Sequence, residues 1–116
     1  RPLVSATCVY EVRGQTLIGP SAILASYAEA TRSAHARFDE VRYESEVSRT
    51  GSGVTIGYTD VLTLAGRTHR HRCEQVLEVR PDGLIEKIVH CDLPAERERL
   101  ASFLAECGEA TKQKAP

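Results

Sequence analysis

From Arg67 to Leu93 the chain reads RTHRHRCEQVLEVRPDGLIEKIVHCDL, and this stretch restricts the possible folds more than any other. Its first half alternates, with His69, His71, Cys73, Gln75, Leu77 and Val79 on one face and Thr68, Arg70, Arg72, Glu74, Val76 and Glu78 on the other. Successive side chains of a strand point to opposite faces, so the pattern predicts a strand with one wet face. Pro81-Asp82-Gly83 ends it, because proline presets φ early in a turn and glycine accepts φ > 0. A hairpin follows from that turn. The returning strand, Leu84 to Asp92, carries Ile88, His90 and Asp92 on one face. Two such neighbours gather imidazoles, a carboxylate, a thiol and an amide, and any chemistry is expected there.

The other segments supply the rest of one domain. At 116 residues the chain is long enough for a core but short enough that one sheet and a few helices must form it. Leu3 to Val12 alternates loosely and is rich in strand formers. Arg13-Gly14-Gln15 turns it, and Thr16-Leu17-Ile18 returns. Gly19-Pro20-Ser21 opens a helix, with Pro suited to the first turn and Ser offering a capping oxygen. Ile23, Leu24, Tyr27, Ala28, Thr31 and Ala34 form one apolar stripe along it. The period then returns to two through Phe38, Val41, Tyr43 and Val47, with Thr50-Gly51-Ser52-Gly53 as a hairpin loop. The next strand runs from Val54 to Ala65 and places Val54, Ile56, Tyr58, Asp60, Leu62 and Leu64 on one face. After the organising hairpin, Pro94 begins a helix with Leu100, Phe103, Leu104 and Cys107 at helical spacing, and Gly108 is expected to stop it. The domain is thus drawn at 1–108 with a frayed tail over 109–116. The sum is an α+β domain, one strongly curved and mostly antiparallel sheet wrapped on a helix.

Composition excludes several function classes. Fifteen basic residues stand against sixteen acidic ones, a net charge of −1, so neither a nucleic-acid footprint nor a membrane-seeking surface is expected. The four cysteines have no CxxC spacing, which points to reduced thiols and a cytoplasmic setting. No apolar run approaches the length of a membrane span, and no basic-then-apolar leader opens the chain. The start at Arg1, without Met and almost directly on a strand, fits a trimmed or processed chain.

The phrase Leu17-Ile18-Gly19-Pro20-Ser21-Ala22-Ile23 entering the helix, and Asp82-Gly83-Leu84-Ile85-Glu86-Lys87-Ile88 before the closing His90-Cys91-Asp92, carry a family resemblance. Over Ser5 to Leu93 the order of elements resembles the nuclear transport factor 2-like superfamily, which includes SnoaL-like polyketide cyclases and ketosteroid isomerases. The resemblance implies a cystatin-like cone with a ligand-binding pocket inside the curved sheet. It also implies one or two helices before the first strand, which are missing here: either they were removed, or the pocket is open and is closed by a second subunit or by the helix from Pro94 to Cys107. By the resemblance, Tyr10, Tyr58, Asp60, Leu62, His71, Cys73, Gln75, Ile88, His90 and Asp92 face that pocket, and the alternation selects the same faces. The ligand is expected to be a small, largely apolar organic molecule, and the chain a homodimer through the outer sheet face.

The ketosteroid isomerase pattern departs at two places. Tyr10, with Glu11 beside it, stands where that enzyme has its base, and Gln75 where it has a protonated carboxylic acid. SnoaL-like cyclases are a better match, since they place an acidic residue near the end of the last strand, where Asp92 stands. The resemblance therefore implies cyclase or isomerase chemistry on a carbonyl compound without a cofactor, with His90 or Asp92 as the base and Tyr58, His71 and Gln75 as donors. His90, Asp92 and His71 are the catalytic candidates.

Plainer readings stand beside these. Asp92 precedes Leu93-Pro94 and can simply cap the last helix. His71 and His90 can be hydrogen-bonded fillers of a half-buried strand. Asp60 can sit at a strand end in water, or be buried and paired with a histidine across the sheet. His69, His71, Cys73 and His90 are zinc ligands by type, but no loop motif accompanies them and no metal is expected. Cys73 and Cys91 read as small hydrophobes, and Arg67, Arg70, Arg72 and Arg80 as the outer side of the sheet. A non-catalytic ligand-binding or dimerisation module of the same fold is the alternative to an enzyme.

Overall fold

The computed structural model describes residues 3–51 and 53–114; Arg1, Pro2, Ala115, Pro116 and Ser52 of the expected hairpin loop lie outside the described residues. The elements are β1 (Val4–Val12), β2 (Gln15–Ile18), α1 (Pro20–Arg37), β3 (Glu40–Thr50), β4 (Gly53–Leu64), β5 (Arg67–Val79), β6 (Ile85–Asp92) and α2 (Glu96–Lys114). The six strands form one sheet in the order β2-β1-β6-β5-β4-β3. From β3 to β6 the chain is an antiparallel meander, and β1 closes it by pairing parallel to β6. The expected α+β architecture with one mostly antiparallel sheet is the observed one.

The β1–β2 connection is a two-residue loop, since Val12 pairs with Gln15. Arg13 (φ 46°) and Gly14 (φ 79°) are both left-handed, the conformation that matches a tight hairpin to the twist of its strands. Glycine takes it freely; arginine does so at a cost. Gly19 (φ 93°) then turns the chain into α1, its N–H donating to the Cys8 carbonyl at 2.9 Å. The expected cap at Ser21 is not made. Pro20 occupies the first turn and Gly19 is the N-cap, so Ser21 lies too far into the helix to serve the free N–H groups.

Both helices lie on the same face of the sheet. Ile23 and Tyr27 of α1 join Cys8, Tyr10, Leu77 and Ile88 in one core cluster, while Phe103 and Cys107 of α2 join Phe38 and Leu62 in a second. The buried stripe of α1 is narrower than the periodicity suggested, since Leu24 is 67% exposed. It stands about 100° around the helix from Ile23, beyond the reach of the concave surface.

The last helix departs from expectation at both ends. It begins at Glu96, not Pro94, after Ala95 adopts φ 66°. It also passes through Gly108 and continues to Lys114, so residues 109–114 of the expected frayed tail are helical. Glycine terminates a helix when it turns left-handed, and Gly108 is not among the residues that do. Good helix formers follow it in Ala110, Lys112 and Gln113.

Glu96 explains where α2 sits. Pairing between β5 and β6 begins at Cys73, opposite Asp92, so the earlier residues of β5 have an edge that β6 does not cover. The carboxylate of Glu96, only 3% exposed, accepts the Arg72 backbone N–H at 3.1 Å and takes the place of the missing strand. Its other oxygen lies 3.7 Å from Arg99 Nη1. Glu96→Ala leaves a buried N–H without an acceptor and is expected to lower the unfolding free energy by about 1–3 kcal/mol, with Glu96→Gln losing less. Urea denaturation of the three proteins checks this, and equal midpoints for all would refute the edge-capping role.

Candidate active site

Between α1 and the concave face of the sheet lies a cavity of about 430 Å³. The chain has four tyrosines, and all of them, Tyr10, Tyr27, Tyr43 and Tyr58, line it. Its polar wall is Asp60 from β4, His71, Cys73 and Gln75 from β5, and His90 from β6, with Arg13 at the β1–β2 turn. Ala30, Thr31 and Ala34 of α1 form the lid side. Strand register produces this set. Asp60 lies opposite His71, Tyr58 opposite Cys73, Cys73 opposite Asp92, and Gln75 opposite His90.

Seven of the ten pocket positions expected from the sequence are therefore in the cavity wall: Tyr10, Tyr58, Asp60, His71, Cys73, Gln75 and His90. Leu62 and Ile88 face the same way but do not line it. Leu62 is covered by Phe103 and Phe38, and Ile88 is packed with Ile23 and Leu77. Each sits where a helix touches the sheet, so its face is filled by protein. Asp92 stands behind the wall rather than in it, joined to two residues that line the cavity. His69 is stacked on Phe103 with ring centroids 5.0 Å apart, outside the cavity. Arg13, Tyr27 and Tyr43 were not anticipated. Tyr27 falls one helical turn after the buried Ile23, and Tyr43 pairs with Asp60, signals that exist in the sequence once α1 and β3 are placed. Nothing local marks Arg13.

Two hydrogen-bonded groups organise the wall. Gln75, 5% exposed, accepts from the Tyr27 hydroxyl at 3.1 Å and donates to the Tyr10 hydroxyl at 3.3 Å. The two tyrosine rings are 5.3 Å apart, so this group is a rigid floor. Gln75 thereby has its carbonyl committed to the protein. The second group centres on Asp92. Arg13 Nε reaches Oδ2 at 3.2 Å and Arg13 Nη2 reaches Oδ1 at 3.3 Å, while His90 Nε2 is 3.0 Å from Oδ1. Asp92 therefore does not cap the last helix. The remaining nitrogen of His90, Nδ1, is buried and has no partner among the described residues, and the same holds for His71 Nδ1.

Burial sorts the ionisable groups. Desolvation raises the Asp60 carboxyl above its ordinary value, against the attraction of His71 and His90. Asp92 moves the other way. Burial pushes its carboxyl up, but hydrogen bonds from His90 and Arg13 outweigh that and hold it below the usual range. Burial pushes Tyr27 up to about 12 and Cys73 up to about 11, the latter helped by Asp60 and Asp92. Tyr58 is likewise raised by burial. The phenols are thus donors and the thiol is not a nucleophile at neutral pH. Among the described residues no three side chains of metal-ligating type gather into a metal site.

The architecture has solved counterparts. An NTF2-like protein of unknown function from Exiguobacterium sp. 255-15 matches at TM-score 0.53 with 14% identity, covering 79% of this chain and 78% of that one. TerC, crystallised with polyporic acid, matches at TM-score 0.60 with 17% identity, covering 84% and 79%. SalBIII, an epoxide hydrolase/cyclase-like enzyme of pyran ring formation in the polyether salinomycin, matches at TM-score 0.57 with 16% identity, covering 81% and 75%. No family model matches the sequence, and neither does any curated protein. The chain has the nuclear transport factor 2-like fold, the α+β cone that its sequence resembles. No helix among the described residues is long and apolar enough to cross a membrane.

The two carboxylates lead to opposite pH effects. Asp60 has a folded-state pKa above the unfolded one, so its contribution is fully present below the unfolded value and is lost as pH rises through the folded one. Asp92 has a depressed pKa, so its contribution is present above the unfolded value and is lost as pH falls through the folded one. Asp60→Asn is expected to raise Tm at neutral pH and Asp92→Asn to lower it, both differences fading in strong acid. Thermal melts across the acid range test this, and shifts of the same sign at neutral pH would contradict it.

Proposed function

We propose that the cavity receives a small, largely apolar carbonyl compound and that His90 removes a carbon-bound proton from it, in a cyclase or isomerase reaction. The observation that carries this reading is the His90–Asp92 pair at 3.0 Å, with the opposite imidazole nitrogen buried and unpartnered beside the cavity. Since Asp92 accepts at Nε2, neutral His90 keeps its lone pair on Nδ1, the nitrogen left without a protein partner among the described residues. Asp92 is the orienting group rather than the base. Its carboxyl is held below the usual range, which makes it a weak proton acceptor but a good partner for the imidazolium that forms.

The rest of the wall suits an enolate. Once His90 takes the proton, negative charge develops on the carbonyl oxygen and needs donors already in place. Tyr58 keeps its phenol proton because burial raises its pKa, and His71 has a nitrogen with no protein partner. The enolate then either attacks a second carbonyl carbon, closing a ring, or is reprotonated at another carbon, moving the double bond. The proton from His90 goes to the new alkoxide or carbon. Four phenol rings around a volume of about 430 Å³ favour a flat, partly polar substrate. Structural counterparts that are cyclase-like or bind polyporic acid support this class.

The test is deuterium exchange from D₂O into the α-carbons of a panel of 1,3-diketones and phenolic ketones, followed by NMR. The protein is expected to accelerate exchange for at least one of them. His90→Ala should slow it by about 10²–10⁴-fold, the range of a general base, without abolishing ligand binding. Exchange at the buffer rate for every compound, or an undiminished rate in His90→Ala, would overturn the reading.

A further inference from the structure

We infer that Arg13 is the positioning residue of the site: by clamping both oxygens of Asp92 it holds that carboxylate against His90 and sets which imidazole nitrogen carries the proton. The inference rests on the reading of His90 as the proton acceptor, yet it is tested without turnover.

Three observations converge on it. Asp92 is the last residue of β6, where the chain leaves the sheet, so the strand ladder does little to orient its side chain. Its orientation comes from its partners. Arg13 spans from the β1–β2 turn to both oxygens, at 3.2 and 3.3 Å, a two-point contact that a planar guanidinium makes with a carboxylate and that leaves little freedom of rotation. Oxygen Oδ1 is shared between Arg13 Nη2 and His90 Nε2. An arginine cannot give up its proton, and it keeps Asp92 ionised. His90 Nε2 must then be the donor, and the lone pair of the neutral ring falls on Nδ1.

The second observation is the backbone. Arg13 occupies the first position of a two-residue hairpin turn at φ 46°, a place where Asn, Asp or Gly is preferred. A long cation there works against the turn, and what it gains is reach to the end of the neighbouring strand β6. The third is location. Arg13 and His90 are both common to the walls of the cavity under α1 and of a cleft of about 290 Å³ at the β1–β2 turn. The clamp therefore stands at the partition between the two spaces. Arg13 is 58% exposed, so the contact is open to screening by salt.

The experiment is long-range ¹H–¹⁵N correlation NMR of the His90 ring, at about pH 8 where histidine is neutral. The pattern distinguishes an Nε2–H ring from an Nδ1–H ring or a mixture. In the unaltered protein a single Nε2–H tautomer is expected. Arg13→Asn suits the turn better than arginine and should leave the fold intact, yet move His90 to a mixture of tautomers. Arg13→Lys, which cannot make the two-point contact, should fall between. An Nδ1–H ring in the unaltered protein, or an unchanged Nε2–H pattern in Arg13→Asn, overturns the inference. Should Arg13→Asn fail to fold, adding about 1 M NaCl to the unaltered protein screens the same pair. His90 is expected to drift toward the mixture, and no response to salt overturns the inference. A protein that shows this dependence on Arg13 but no deuterium exchange would refute the catalytic reading and leave the clamp standing.

Discussion

The antiparallel register that sets Cys73 against Asp92, Gln75 against His90 and Leu77 against Ile88 carries the rest of the structure with it. Because β6 ends opposite Cys73, the first half of β5 has an uncovered edge. Glu96 satisfies one of its N–H groups, and α2 is drawn across that end of the sheet. Because β1 lies parallel to β6, the hairpin turn of β1 and β2 arrives beside Asp92, and Arg13 can reach it. A shift of one residue between β5 and β6 would send the inward side chains of one strand to the outer face. The floor, the clamp and the first core cluster, which holds Leu77 and Ile88, would all lose their partners.

Two carboxylates on one concave face have opposite chemistry because their neighbours differ. Among the described residues no hydrogen bond to Asp60 offsets its loss of water, and its charged form is disfavoured. Asp92 is also partly buried but receives charge-assisted bonds from a guanidinium and an imidazole, so its charged form wins. The contrast comes from pairing rather than from depth, since only one of the two carboxyls has cationic partners in hydrogen-bond contact. The tyrosine and glutamine floor adds rigidity without charge. It is closed on itself, so it shapes the cavity and leaves the histidines as the groups with free nitrogens.

How much of this was legible in the sequence differs by residue. The strands, their turns and the inward face were readable because alternation is a local steric property: Asp60, His71, Cys73, Gln75 and His90 fall on one face whatever the rest of the chain does. The resemblance carried by the Gly19-Pro20 helix entry and the Asp82-Gly83 hairpin led to the right cone. Leu62 and Ile88 were placed on the correct face but in the wrong surroundings, since only the docking of α2 and α1 decides which inward positions are covered. Gly108 was misread because a glycine marks a helix end only when the following chain turns away, and here it does not. Arg13 was invisible, as its meaning lies 79 residues away in Asp92.

What the sequence determined by itself is the set of side chains that face inward, the positions of the tight turns and the absence of a strong net charge. These follow from backbone sterics and composition, which act over a few residues. What only the tertiary structure decided is which inward groups are filled by helices, which line a cavity, and which partner each buried polar atom finds. Those depend on contacts between segments far apart in the chain, where desolvation and pairing are settled together and no local pattern records the outcome.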